Sequence, residues 1–205
     1  MTLDERAGEI YKTYIDVICP YILNYEILTG SFPIALLNEI RAIFTHLSKY
    51  HLANNDKIRE SNISKAEGHI KRSILDCYKY ICIAYDDEYR KYEKKYERID
   101  KSFVDNGEFA RKLLDSYHNA VNLIKKARKT DFLINSDEEI NIDEAYKNYQ
   151  EAFIAYSSVY ELLNNSYKKL DYLKKKAIFK DFFTIGIGII GILGTIFTIV
   201  SFFIN

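Results

Sequence analysis

Residues 182–204, FFTIGIGIIGILGTIFTIVSFFI, decide the fold class. No residue from Phe183 to Ile204 is charged, and the run matches the ~20 apolar residues that an α-helix needs to cross a hydrocarbon core. A single C-terminal transmembrane helix, segment 182–205, is therefore expected. Lys168, Lys169, Lys174, Lys175, Lys176 and Lys180 stand immediately before it, and such cationic flanks remain on the cytoplasmic side. The residues that precede the span are accordingly expected in the cytoplasm, with only Asn205 beyond it. The opening Met1-Thr2-Leu3-Asp4-Glu5 is acidic and lacks the apolar stretch of a secretory signal.

Working back from the span, no helix breaker occurs before Ile142. One helix of about 60 residues, about 90 Å long, would join the membrane rigidly to what precedes it. Within segment 142–181, Tyr146, Tyr149, Phe153, Tyr156, Tyr160, Leu163, Tyr167 and Leu170 alternate spacings of three and four, an a/d heptad pattern. This seam is expected either to join copies of the chain as a coiled coil or to pack on the chain's own earlier helices.

Segment 1–141 reads as a bundle of about four helices. Thr2 with Glu5 forms a capping box, and an apolar stripe from Tyr11 to Tyr25 predicts a helix kinked at Pro20, with a break at Thr29-Gly30-Ser31. Leu37, Ile40, Phe44 and Leu47 mark a second helix from Pro33 to about Asn54. Ser64 and Glu67 read as a capping box after a polar loop, opening a third helix to about Phe103 whose charged second half, Asp86–Lys101, is expected to emerge into solvent or a subunit interface. After the turn signal Asp105-Asn106-Gly107, a fourth helix runs from Phe109 to about Arg128, with a loop to about Asn141. The fold class is all-α: a cytoplasmic helical bundle with a long C-terminal helix that continues into one transmembrane span.

Composition narrows the function classes. Lys+Arg and Asp+Glu each number 29, so no global basic excess advertises nucleic acid. The 18 tyrosines, with frequent Ile, Lys and Asn, point to an AT-rich, bacterial genome. Cys19, Cys77 and Cys82 show no zinc-type spacing and read as reduced thiols. Four of the eight glycines lie in the span and the rest are scattered singly, so no phosphate-cradling loop exists for an ATPase, kinase or Rossmann enzyme. No metal or cofactor motif occurs.

The span is not a uniform anchor. Thr184, Gly188, Gly191, Thr195 and Thr198 fall within about 40° of one line at ~100° per residue, and in lipid such a small, hydroxylated face lets helices approach and hydrogen-bond. Self-association follows, with two outcomes: a dimerising tail-anchor, or a pore lined by hydroxyls and glycine backbone. The three-four count continues from the tyrosine seam through Lys174, Ala177 and Asp181 into this face. Supercoiling would place rings of Lys174 and Asp181 at the pore mouth, provided it absorbs the drift of about 20° per heptad.

Two constellations carry chemistry upstream. His69, Arg72, Asp76 and Lys79 form a polar stripe at spacings of three, four and three. With Arg41, His46, Lys49 and Lys71 in the neighbouring hairpin, it is expected to bind a nucleotide or short oligonucleotide, with Tyr78 or Tyr80 available for base stacking. The alternative is a salt-bridge network. Second, Arg41-Ala-Ile-Phe-Thr-His46 has the Arg-x4-His form and is similar, over this one helix, to HEPN-type ribonucleases. That resemblance implies metal-independent RNA cleavage by Arg41 and His46, although the family often has a polar residue where this chain has Ala42, and residues five apart lie about 140° apart on a helix. His51 and His118 read as structural.

The layout as a whole, a small helical domain on one glycine-threonine span, resembles the membrane effectors of bacterial nucleotide-signal anti-phage systems, and most of all the channel-forming effector of Hailong-type systems. The resemblance implies a homo-oligomeric ion channel in the bacterial inner membrane, a tetramer being one such form. In that family an oligonucleotide from a companion nucleotidyltransferase gates the pore, and depolarisation halts the infected cell. The expectations that remain are an enzyme, the membrane-tethered HEPN-like ribonuclease, and a non-catalytic tail-anchored adaptor.

Overall fold

The structure, a computed structural model, describes residues 1–134 and 142–204, with side-chain surroundings for 1–132, 144–180, 183–185 and 187–196. The elements are α1 (Leu3–Thr13), a π-helical stretch (Tyr14–Ile18), α2 (Cys19–Thr29), α3 (Ile34–Leu52), α4 (Asp56–Lys95), two 3-10 turns (Lys101–Phe103 and Asp105–Gly107), α5 (Glu108–Ile134) and α6 (Ile142–Ile204). No strand occurs among the described residues. The loop expected up to Asn141 lies mostly outside them.

α4 is the spine. α1, α2 and α3 pack on it, α6 packs on both it and α5, and Tyr21 of α2 also reaches Phe153 of α6. Cross-contacts set the directions: Tyr78 meets Tyr146 and Tyr96 meets Tyr167, so α4 and α6 run parallel. Asn148 reaches Thr130 and Lys169 reaches Asp105, so α5 runs antiparallel to α6.

The chain start follows the sequence reading. Thr2 Oγ1 accepts the Glu5 N–H, and the Glu5 carboxylate accepts the Thr2 N–H, closing the capping box. Where a kink is expected at Pro20, a π stretch stands just before it, in which the Cys19 N–H bonds to the Tyr14 carbonyl. A proline has no N–H for the α-helical ladder, and the wider turn takes up the mismatch.

α4 corrects three expectations. It starts at Asp56 rather than at Ser64, because the Asn55 side chain accepts the N–H groups of Lys57 and Ile58 and Ile63 and Ala66 supply fully buried contacts about two and three turns later. Ser64 and Glu67 are therefore mid-helix, and both bond to Arg6 of α1. The charged half does not emerge into solvent: Tyr85, Tyr89, Tyr92 and Tyr96 are buried against α5 and α6, and the charges pair around the outside as Arg90–Asp86 and Lys91–Glu88. The helix stops at Lys95 rather than near Phe103, and Asp100 caps the next turn through the Ser102 N–H. Asn106 at φ 53° and Gly107 at φ 83° then form the turn that the sequence signals, a left-handed conformation suited to Asn and Gly.

The seam of α6 packs inside its own chain. Its most buried line is Ala145, Tyr149, Ala152, Tyr156, Val159, Leu163 and Leu170, with Tyr146, Phe153, Tyr160 and Tyr167 half-buried on its flank. Ala120 and Ala127 of α5 are also fully buried, and small residues facing each other let antiparallel helices approach closely. Cys77 and Cys82 are free and buried, and burial pushes both thiols up to about 12, so they remain protonated and inert.

Past Lys180, α6 continues as a helix to Ile204, and its described side chains from Phe183 to Ile196 are exposed. The helix from Glu144 to Ile196 contains an 18-residue window of mean hydropathy 1.7 with 0% of it buried. It is long and apolar enough to cross a membrane.

Candidate functional site

The polar residues that the sequence singles out divide into three places. At the first, α3 and α4 bring His46, His69 and Arg72 together. The His46 and His69 rings lie 5.4 Å apart between centroids with a 19° interplanar angle. Asn62 Nδ2 donates to the Ile58 carbonyl, which fixes its Oδ1 toward His46 Nδ1 at 3.0 Å. A proton on His46 Nδ1 satisfies that oxygen and leaves Nε2 on the opposite edge of the ring.

His69 is held the same way. Its Nδ1 lies 2.8 Å from Glu39 Oε2 and 3.1 Å from an Arg72 guanidinium nitrogen. An Nδ1–H that donates to the carboxylate has no lone pair for Arg72, so the guanidinium pairs with Glu39 instead, at 3.4 Å. Glu39 and His69 are one-fifth to one-quarter exposed, whereas Arg72 is 55% exposed. The result is two imidazoles, each oriented by a hydrogen bond at Nδ1, beside a cation at the surface. Glu39 and Asn62 complete this cluster, and sequence reasoning missed both: Asn62 fell in the supposed loop before Ser64, and nothing along the chain ties Glu39 to His69.

Lys79 does not join them. It bonds to Asp131 at 2.9 Å, approaches Asp76 at 3.7 Å and lies over the Tyr149 ring. Burial raises the Asp76 carboxyl above its ordinary value, and Lys79 offsets part of that rise. This end of the stripe is thus the salt-bridge network. Arg41 and Lys49 are exposed on α3 without an ion pair among the described residues. Lys71 lines a groove of about 530 Å³ elsewhere, with Arg6 and Glu67, which pair at 2.6 Å.

Base stacking on Tyr78 is ruled out by its burial: its ring packs against Tyr21, Tyr146 and Phe153. Tyr80 stays half-buried beside Tyr25. His51 is exposed and meets the Tyr11 hydroxyl at 3.1 Å.

In the apolar stretch, Thr184, Gly188, Gly191 and Thr195 are all exposed, and a Cβ added at Gly188 or Gly191 would meet nothing within 4 Å. Thr184 donates its hydroxyl to the Lys180 carbonyl at 2.9 Å and Thr195 to that of Gly191 at 2.8 Å. With the protons used inside the helix, both oxygens turn only lone pairs outward. Lys174 is half-buried, 6.0 Å from the Tyr96 ring centroid of its own chain. The side chains of Asp181 and Thr198 lie outside the described residues.

Among the described residues, no three His, Cys, Asp or Glu side chains group in a way that holds a metal ion. No protein-family model matches the chain, and comparison with curated proteins and with solved structures returned no match.

Proposed function

We propose that the chain is a homo-oligomeric membrane effector. In this reading residues 182–204 span the bacterial inner membrane once, the helical domain stays in the cytoplasm, and the spans of several copies line an ion path. The observation that carries it is the continuity of α6. One unbroken helix joins a packed domain to an apolar stretch whose described side chains are exposed and whose Gly188–Thr195 face is small. In lipid such a face packs against its own kind. The outward lone pairs of Thr184 and Thr195 suit a path for cations, because oxygen dipoles replace part of the hydration shell.

The cluster of His46, His69 and exposed Arg72, with Arg41 and Lys49 nearby in sequence on α3, is the surface for an anionic ligand, a nucleotide or short oligonucleotide from a companion nucleotidyltransferase. Gating requires that this ligand bind the open and closed states with different affinity. The biological output would be anti-phage defence by membrane depolarisation.

The test is ion flux from liposomes that contain the purified chain. Thr195→Leu should abolish flux with insertion intact, and Arg72→Glu should remove the nucleotide response. Unchanged flux in the first variant would overturn the pore.

A second reading is favoured by the paired imidazoles. His46 and His69, each oriented through Nδ1, have the makings of an acid–base pair for phosphodiester cleavage beside a guanidinium, one ring neutral with a free Nε2 as base and the other an imidazolium donating from Nε2 as acid. This replaces the pairing of His46 with Arg41 by one with His69. It requires His46→Ala and His69→Ala each to eliminate RNA cleavage, with membrane potential unchanged by the active protein.

A further inference from the structure

Where α4 ends and α6 approaches the apolar stretch, a groove of about 390 Å³ opens between the Asp100-capped turn and α6. Arg98, Lys176 and Lys180 stand on its walls, and Ile99, Phe103 and Leu173 give it an apolar lining. None of the three cations forms an ion pair among the described residues, unlike Lys91, Lys95 and Lys101 close by, which each hold a carboxylate. Asp100 also lines the groove, with its carboxylate oxygen accepting the Ser102 N–H at 2.9 Å. Three cations therefore face one carboxylate, and that carboxylate is already engaged.

The groove also lies at a distinctive height. Lys180 and Lys176 precede Phe182 by two and six residues, about 3 Å and about 9 Å along the helix. That is headgroup depth, since the polar layers add about 5–8 Å to each side of the hydrocarbon. Phe103 is 74% exposed on the groove and Phe179 is 72% exposed on the adjoining turn of α6. At a membrane interface such a pair of aromatic rings meets the boundary between headgroups and acyl chains.

We infer that this groove holds the headgroup phosphate of an anionic phospholipid of the cytoplasmic leaflet, with Arg98, Lys176 and Lys180 on the phosphate and Phe103 dipping beside the acyl chains. The inference rests on reading 182–204 as a membrane span. Basic residues at this depth favour anionic over zwitterionic lipid, and the apolar lining distinguishes a lipid from free phosphate. The site fixes the α4–α5 turn to the bilayer surface, so that lipid composition bears on the angle at which α6 enters the membrane.

The chain contains no tryptophan, so Phe103→Trp in the full chain provides a single reporter. In liposomes, brominated phosphatidylglycerol should quench its emission at least about threefold more than brominated phosphatidylcholine at equal mole fraction. Adding Arg98→Glu and Lys176→Glu should bring that ratio to about one, with helicity and carbonate-resistant insertion retained. Arg98→Gln with Lys176→Gln should fall between and serves where the charge reversal disturbs folding. Equal quenching by both lipids, or a ratio that survives the charge variants, overturns the site. Loss of the preference on adding inorganic phosphate assigns the groove to soluble phosphate and overturns the lipid. A chain that fails to insert at all overturns the spanning reading itself, a separate result.

Discussion

The two halves of α6 share a three-four rhythm but have opposite fates. From Ala145 to Leu170 its inner line is buried against α4 and α5, with Ala145, Ala152 and Leu170 at 0% exposure. From Phe183 to Ile196 the described side chains are all exposed, Ile190 at 72% and Ile189 at 54%. The first half is completed by its own chain. The described side chains of the second are left exposed, and in the proposed reading lipid and further copies cover them. Periodicity alone says that a helix face will be buried; only the residues around it say by what.

Truncation inside the first half should have the largest effect. Leu163→Ala removes a side chain that is 1% exposed and should cost about 2–5 kcal/mol. Ile189→Ala, outside the packed domain, should leave domain stability within about 0.5 kcal/mol. Urea unfolding in detergent, followed by the near-ultraviolet tyrosine signal, measures both, and equal losses would erase the contrast.

Next is Asp86, whose Oδ1 accepts the hydroxyls of Tyr117 at 2.9 Å and Tyr156 at 3.2 Å. Aromatic residues bury well when the hydroxyl finds an acceptor. Asp86→Ala strands both hydroxyls and should cost about 2 kcal/mol in the same titration.

Tyr92 departs from that rule: its hydroxyl is buried without a hydrogen-bond partner among the described residues. Tyr92→Phe removes the unsatisfied group and should raise stability by about 1 kcal/mol, whereas Tyr156→Phe should lower it. The opposite signs are the check, since both rings are almost fully buried.

The smallest effect lies at the exposed edge of the first half. The Tyr96 hydroxyl and then the Lys95 ammonium hold the Asp171 carboxyl below its ordinary value. A carboxyl lowered on folding stabilises the protein above its unfolded value, about pH 4, and loses that contribution as pH falls through the lowered one. Asp171→Asn should therefore flatten the acid limb of stability below about pH 4 and leave other changes with pH in place, as read from urea midpoints across the acid range.

These effects also mark what the sequence makes legible. The all-α class, the capping box at Thr2, the turn at Asn106-Gly107 and the unbroken α6 follow from local chemistry, since caps, breakers and period are written in adjacent residues. The destination of the tyrosine seam is not local: Tyr146 and Tyr160 are half-buried because α4 supplies Tyr78 and Tyr85, residues far away in the chain. The early start of α4 was masked because Asn54-Asn55 reads as a loop, whereas Asn55 is the cap. The same misreading hid Asn62 from the histidine cluster. Extending the third helix to Phe103 in turn concealed the groove of Arg98 and Lys176, which exists only because the chain turns at Tyr96. Glu39 had no signal, since its partnership with His69 is a product of the antiparallel α3–α4 packing.

The central claim is that the exposed half of α6 finds in other copies the partner that the buried half finds in its own chain. Cysteines introduced singly along residues 184–196 of the full chain, in a background lacking Cys19, Cys77 and Cys82, test it by oxidative cross-linking in native membranes. Thr184→Cys, Gly188→Cys, Gly191→Cys and Thr195→Cys should cross-link between chains, while Ile189→Cys, Ile190→Cys, Leu193→Cys and Ile196→Cys should not. Uniform cross-linking along the helix, or none at the glycine and threonine positions, would contradict the account.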